Sequence, residues 1–205
     1  MKLIEHKSPS YPPRTAHNAK TADLTAAFAE EFDSRGEVLT KEMAGEKYVS
    51  IDLKLSPVEA ARVLFAECRK RNVQTLNIAG NGIYTLKDHG WTQDKLNLWM
   101  YEVLRLVHKH HPLIQIISGG QTGVDFAGGI AGEALGLNPV MTFPKGFKQR
   151  TLKVYELVQT EADVMATVDT ELKALREAIP NLPPMAPSKT RVSRAAPPED
   201  SYSPS

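Results

Sequence analysis

From Val49 to Phe143 the chain alternates short apolar runs with amphipathic stretches, and glycine or capping residues mark each change of period. That alternation restricts the fold more than any other feature. Strand–helix–strand units of this size close most readily into a parallel sheet with helices on its faces. Val49, Ile51, Leu53 and Leu55 alternate with Ser50, Asp52 and Lys54, predicting a half-buried strand. Ser56-Pro57-Val58-Glu59 reads as a capping box with proline at the first helical position. It opens a helix to about Arg71 with Val58, Ala61, Leu64, Phe65 and Cys68 inward. Val73 to Ala79 is a second strand, ended by Gly80-Asn81-Gly82. Thr92 caps a long helix whose stripe is Leu96, Trp99, Met100, Val103, Leu104 and Val107. Leu113 to Ser118 is almost continuously apolar, as in a parallel strand covered on both faces. A glycine-rich turn then leads into a helix that stops at Gly136. A strand at Val140–Phe143, a short strand near Val154–Val158 and a helix over about Ala162–Ile179 complete the series. The expected class is α/β: a Rossmann-like, doubly wound parallel sheet with helices on both faces.

Residues 47–180 form this expected domain, and both ends look peripheral. Residues 1–46 read as an N-terminal, partly helical extension packed on it. Pro9, Pro12 and Pro13 argue against regular structure at the start, and Leu24, Phe28 and Phe32, four apart, predict a helix within 21–45. A shorter helix near Thr40–Ala44 would end at Gly45. Residues 181–205, dense in proline and serine, read as a disordered tail. The chain has 205 residues, with Lys plus Arg 25 and Asp plus Glu 24, for a net charge of +1. That balance argues against nucleic-acid binding driven by bulk charge. A single cysteine, Cys68, excludes an internal disulfide framework. No apolar run approaches the roughly 18 residues of a membrane span, and MKLIEHKSPSYPPR is too polar for a signal peptide. A cytoplasmic protein with no membrane partner is expected.

Glycines concentrate between Gly80 and Gly136, and the segment Ile117-Ser118-Gly119-Gly120-Gln121-Thr122-Gly123-Val124-Asp125 carries the functional signal. It leaves an apolar strand and opens a helix, where free backbone N–H groups and the helix dipole favour an anion. It is neither a Walker A loop nor a GxGxxG turn. The plainer alternative, that its glycines serve a tight turn and close helix–sheet packing, stays open. Gly128, Gly129 and Gly132, inside the helix, are expected to serve packing. Gly80, Asn81 and Gly82 would flank the same crevice if their strand neighbours that of Leu113. Pro144-Lys145-Gly146 follows the next strand, and Lys145 could set a point charge against a phosphate. The candidate ligand-binding set is therefore Gly80, Asn81, Gly82, Ser118, Gly119, Gly120, Gln121, Thr122, Gly123, Asp125, Pro144, Lys145 and Gly146. Asp125 is the one candidate catalytic acid; its other readings are a first-turn cap or an acceptor for a ribose hydroxyl. His108, His110 and His111 sit at a helix C-terminus without accompanying acids or cysteines, so no metal is expected there.

ISGGQTGVD at 117–125, together with Phe143-Pro144-Lys145-Gly146, resembles the SLOG superfamily of Rossmann-like nucleotide-binding proteins, in particular its molybdenum-carrier branch and related phage and bacterial proteins. The resemblance covers about Leu76 to Gly146. It implies a doubly wound sheet, a nucleotide or nucleotide-derived ligand at the glycine loop, and homo-oligomers. It transfers a binding role to Ser118, Gly119, Gly120, Gln121, Thr122, Gly123, Asp125 and Lys145. The phosphoribohydrolase branch carries PGGxGTxxE; here Ser118 stands for the proline, and the nearest acid, Asp125, falls one position early.

The leading expectation is a binder of an ADP-ribose-like or cyclic-nucleotide ligand at loop 118–125. One alternative is an N-glycosidic hydrolase acting on nucleoside monophosphates through Asp125, which leaves enzyme status open. The other is a protein- or DNA-contacting module with a vestigial loop, using Lys189, Arg191 and Arg194.

Overall fold

The computed structural model describes residues 1–153 and 155–179. Along the chain lie β1 (Lys2–Glu5), α1 (Tyr11–Thr21), β2 (Leu24–Ala29), α2 (Arg35–Ala44), β3 (Tyr48–Asp52), α3 (Pro57–Arg71), β4 (Thr75–Gly80) and the single turn α4 (Ile83–Leu86). They are followed by α5 (Gln93–His110), β5 (Gln115–Ser118), α6 (Val124–Ala134), β6 (Val140–Phe143), β7 (Gln149–Arg150), β8 (Glu156–Leu157) and α7 (Glu161–Ala178). Six strands form one parallel sheet in the order β1-β6-β5-β4-β2-β3, and β7 and β8 make a separate antiparallel pair.

The winding reverses once. From β1 through β2 to β3 the chain runs toward one edge, then β4, β5 and β6 return toward the other. Right-handed crossovers therefore put α1 and α2 on one face and α3, α5 and α6 on the opposite face. Accordingly α1 packs on α2, whereas α5 packs on α3, α6 and α7. The reversal falls between neighbours β2 and β4, and an open α/β sheet has its crevice at the carboxyl ends of such a pair. The doubly wound expectation holds.

Sequence signals were sufficient where caps were strong. In α3, Ser56 and Glu59 form the reciprocal capping box, and Thr160 and Asp163 do the same for α7. The expected stripe of α5 is buried throughout. Within α3, however, Val58 is exposed, and Ala60 takes an inward place instead. Gly128, Gly129 and Gly132 let α6 lie directly on the side chains of Ile78, Met141 and Ile116. Cys68 is buried, and desolvation pushes its thiol up to about 12, so it sits in the core as an inert group.

Residues 1–46 are not an appended extension. β1 is an edge strand of the main sheet, paired with β6, and β2 is an inner strand between β4 and β3. The helix expected around Leu24 and Phe28 is β2, whose residues Leu24-Thr25-Ala26-Ala27-Phe28-Ala29 are all buried. Its alanines suggest a helix by propensity, but burial on both faces favours small residues wherever helices press on the sheet. Pro12 and Pro13 do not prevent structure either. They occupy the first turn of α1, where a missing N–H removes no helical bond. The short helix expected at Thr40–Ala44 is the last part of α2, which does end at Gly45, with φ 54°. The tail expected over 181–205 lies outside the described residues. Among the described residues, no helix is long and apolar enough to cross a membrane.

Candidate functional site

A cavity of about 560 Å³ opens above the carboxyl ends of β4 and β5, beside the start of α2, with α1 as a side wall. The β4 side contributes Gly80, Asn81 and Gly82, and the β5 side contributes Gly119, Gln121 and Asp125. Tyr11, Arg14 and Asn18 come from α1, Arg35 and Glu37 from α2, and Arg150 from β7. Strand periodicity turns Asn77 to this face, where its amide donates to Thr25 Oγ1 at 3.2 Å.

Most of the glycine loop faces the protein rather than the cavity. Its amides are largely consumed: Gly123 N donates to Gln93 Oε1 at 2.7 Å, Val124 N to the Asn81 carbonyl at 3.1 Å, and Thr122 N to Gln121 Oε1 at 3.1 Å. Gly82 and Gly123 pair as an antiparallel bridge, so the two loops after β4 and β5 are pinned together. Gly120, at φ 66°, lies against the Phe143 ring, leaving no room for a Cβ. Among the described residues, only the amides of Gly119 and Gly120 within 119–124 have no hydrogen-bond partner.

Gly119 makes room for an ion pair. A Cβ there would collide with the Arg14 guanidinium and the Asp125 carboxylate. Arg14 Nη1 donates to Asp125 Oδ2 at 3.0 Å, and both side chains are buried. Burial pushes the Asp125 carboxyl up, while Arg14 and hydrogen bonds with the Gly80 and Gln121 backbone pull it down. The partner supplied by α1 is 111 residues away in sequence. Asn18 from the same helix donates its amide to the Ser118 carbonyl at 2.9 Å.

Tyr11, Arg14, Asn18 and Arg150 are not among the sequence candidates, and neither is Glu37 of α2. It stands three residues after the N-cap Ser34, whose Oγ accepts from Glu37 N at 3.3 Å. Ser-x-x-Glu there reads as another capping box, yet the Glu37 carboxyl does not return to Ser34. It turns into the cavity wall, only 3% exposed, where Asn81 Nδ2 donates to its Oε1 at 3.4 Å. Desolvation, followed by the Asp125 charge, pushes it up to about 7. Burial and the Glu37 charge likewise push the nearby Tyr48 hydroxyl up to about 12.

The wall also carries polar atoms without partners. Among the described residues, Tyr11 Oη, Arg14 Nε, Asn18 Oδ1, Glu37 Oε2 and Asn77 Oδ1 are buried and make no hydrogen bond, and all five residues line this cavity. Ser118 Oγ is also unpartnered, beneath the loop. Native proteins leave few such groups, and here five of them gather on residues that line one cavity. At the mouth, Arg150 lies 5.3 Å over the Tyr11 ring and 5.7 Å from the Tyr84 ring centre. The hairpin bearing Arg150 is tied to the glycine loop, with Arg150 N donating to Gln121 Oε1 at 2.7 Å.

Of the sequence candidates, Gly80, Asn81, Gly82, Gly119, Gln121 and Asp125 therefore meet at the cavity. Ser118, Gly120 and Gly123 support the loop from behind. Thr122 lines a second cavity of about 580 Å³ between α7, the hairpin and the start of α5. Its polar residues are tied up within the protein: Asn97 Nδ2 donates to Glu171 Oε2 at 2.7 Å, and Gln93 Nε2 to the Gly123 carbonyl at 3.0 Å. Pro144, Lys145 and Gly146 do not line the first cavity. Lys145 N donates to the Ser8 carbonyl at 3.0 Å and Gly146 N to Glu5 Oε1 at 2.6 Å, holding that turn over the end of β1. The histidines at the end of α5 are used locally: His108 Nδ1 accepts from Leu113 N at 3.1 Å, and His111 Nε2 lies 2.6 Å from the Val73 carbonyl. No protein-family model, curated protein or solved structure matches this chain.

Proposed function

We propose that this chain binds a nucleotide or nucleotide-derived ligand, of the ADP-ribose or cyclic-nucleotide kind, in the cavity at the β2–β4 reversal. The observation that carries the reading is the set of five buried, unpartnered polar side chains on one wall. They offer donors at Tyr11 and Arg14 and acceptors at Asn18 and Asn77, as the base and sugar of a nucleoside require. Arg35 and Arg150 at the mouth supply cations for phosphate, and Tyr11 and Tyr84 supply ring faces. The volume suits a small ligand largely enclosed by protein. The direct test is mass spectrometry of small molecules released on denaturing the purified protein, paired with calorimetric titration by AMP, cyclic AMP and ADP-ribose. A bound or titrating nucleotide is the expected result; none in either measurement would remove the reading.

A second reading, N-glycosidic hydrolysis, is favoured by one observation: two carboxyl groups in unlike settings share the cavity, Asp125 ion-paired and Glu37 not. Chromatography of free base from AMP separates the two readings, since a binder releases none above background. The third reading, a contact module acting through Lys189, Arg191 and Arg194, rests on residues outside those described.

A further inference from the structure

Resting on the nucleotide reading, we propose that Glu37 enters the complex as a neutral acid, donating a hydrogen bond from Oε2 to the bound nucleotide, so that binding is linked to proton uptake. Three geometric facts point there. The carboxyl is nearly fully buried in a residue that lines the cavity, its Oε1 meets only the Asn81 amide, and its Oε2 is buried with no partner. Among the described residues, Asp125 of α6 is the other acid lining this cavity; of the cations that line it, Arg14 of α1 is bonded to Asp125, and neither Arg35 of α2 nor Arg150 of β7 forms an ion pair with Glu37. Of the two carboxyls, then, Asp125 has the compensated charge and Glu37 does not. From β3, Tyr48 faces Glu37 with a neutral hydroxyl, and β2 and β4 present no ionisable side chain. An uncompensated carboxylate beside Asp125 would also repel an anionic ligand, whereas the neutral acid offers it a donor.

The position of Glu37 within its helix supports this assignment. In α3 and α7 the acid at the equivalent position returns to its cap, while in α2 the acid leaves the cap for the cavity. The proton required is available near neutrality, because burial and Asp125 place Glu37 at about 7.

The test titrates the intact chain with ADP-ribose and cyclic AMP between pH 6 and 9, a range in which neither ligand's phosphate ionises, in buffers of different ionisation enthalpy. The expected result is proton uptake that grows through neutrality, with affinity falling about tenfold per pH unit above pH 8 as the competent fraction declines. Glu37→Gln, which keeps an N–H donor, should bind without proton uptake and with flat pH dependence. Glu37→Ala should lose uptake and bind about tenfold more weakly than Glu37→Gln. Binding by the parent without proton uptake, uptake that persists in Glu37→Gln, or equal affinity of the Gln and Ala variants would each overturn the inference and leave the nucleotide reading standing. Absence of binding by the parent at every pH would remove that reading and this inference with it.

Discussion

The glycine loop and the α1–α2 arm wrap the same cavity but contribute to it in opposite ways. Gly120 and Gly123 turn inward, where Phe143 and the backbone after β4 fill the space a Cβ would need. Tyr11, Arg14, Asn18 and Glu37, from the arm, line the cavity and hold buried polar atoms left unpaired. Glycine is informative about close approach, and here the approaching group is mostly the protein itself. The unpaired groups are informative about recognition, because a buried donor or acceptor without a partner is costly unless something else satisfies it.

The sharpest way to break this comparison is a double-mutant cycle at Gly119 and Arg14. Gly119→Ala should push a methyl group into the Arg14–Asp125 pair, and Arg14→Ala should strand Asp125 as a buried, unpaired acid. Each should destabilise the fold by about 3–5 kcal/mol in urea unfolding. The double variant should cost far less than the sum, since removing Arg14 also removes the main obstacle to the methyl. Strict additivity would mean that Gly119 does not exist for the ion pair.

A smaller effect is expected at Glu37. The unfolded chain releases this proton in the usual carboxylate range, whereas the folded chain holds it to about 7. Between those values the folded state binds more protons, so this group's contribution to stability falls as pH rises through the window and is lowest above about 7. Glu37→Gln should therefore raise stability at pH 5 by less than about 1 kcal/mol and at pH 8 by about 3 kcal/mol. Urea unfolding of parent and variant at both pH values checks it. An equal change at the two pH values would show that Glu37 carries its charge throughout.

The smallest effect is a control outside the cavity. Gly136 has φ 71°, but no atom stands within 4 Å of a Cβ added there. Gly136→Ala should cost only about 1 kcal/mol, the strain of a left-handed residue with a side chain. A thermal melt should place it well above Gly119→Ala, and a comparable loss at both sites would show that backbone strain, not the ion pair, dominates at Gly119.

Much of the sheet-and-helix frame was legible because its signals are local. Ser56-x-x-Glu59 and Thr92 declare their helices within one turn, and the α5 stripe repeats often enough to name its buried face. β2 was not legible, since alanine-rich residues buried on both sides lack the alternation by which a strand announces itself. Ser34-x-x-Glu37 could not be distinguished from a capping box, because the sequence holds both uses of that glutamate and only the surrounding Asn81 and Asp125 select one.

By itself, the sequence determined the α/β class, the capped helices and the close packing of α6 on the sheet. Each follows from periodicity or from residues within a few positions of one another. The tertiary structure decided that the first 46 residues enter the sheet, that Arg14 meets Asp125 across 111 positions, and that Glu37 faces inward. Those outcomes depend on which strands become neighbours. Strand pairing is set by burial over the whole domain, so no local pattern carries it.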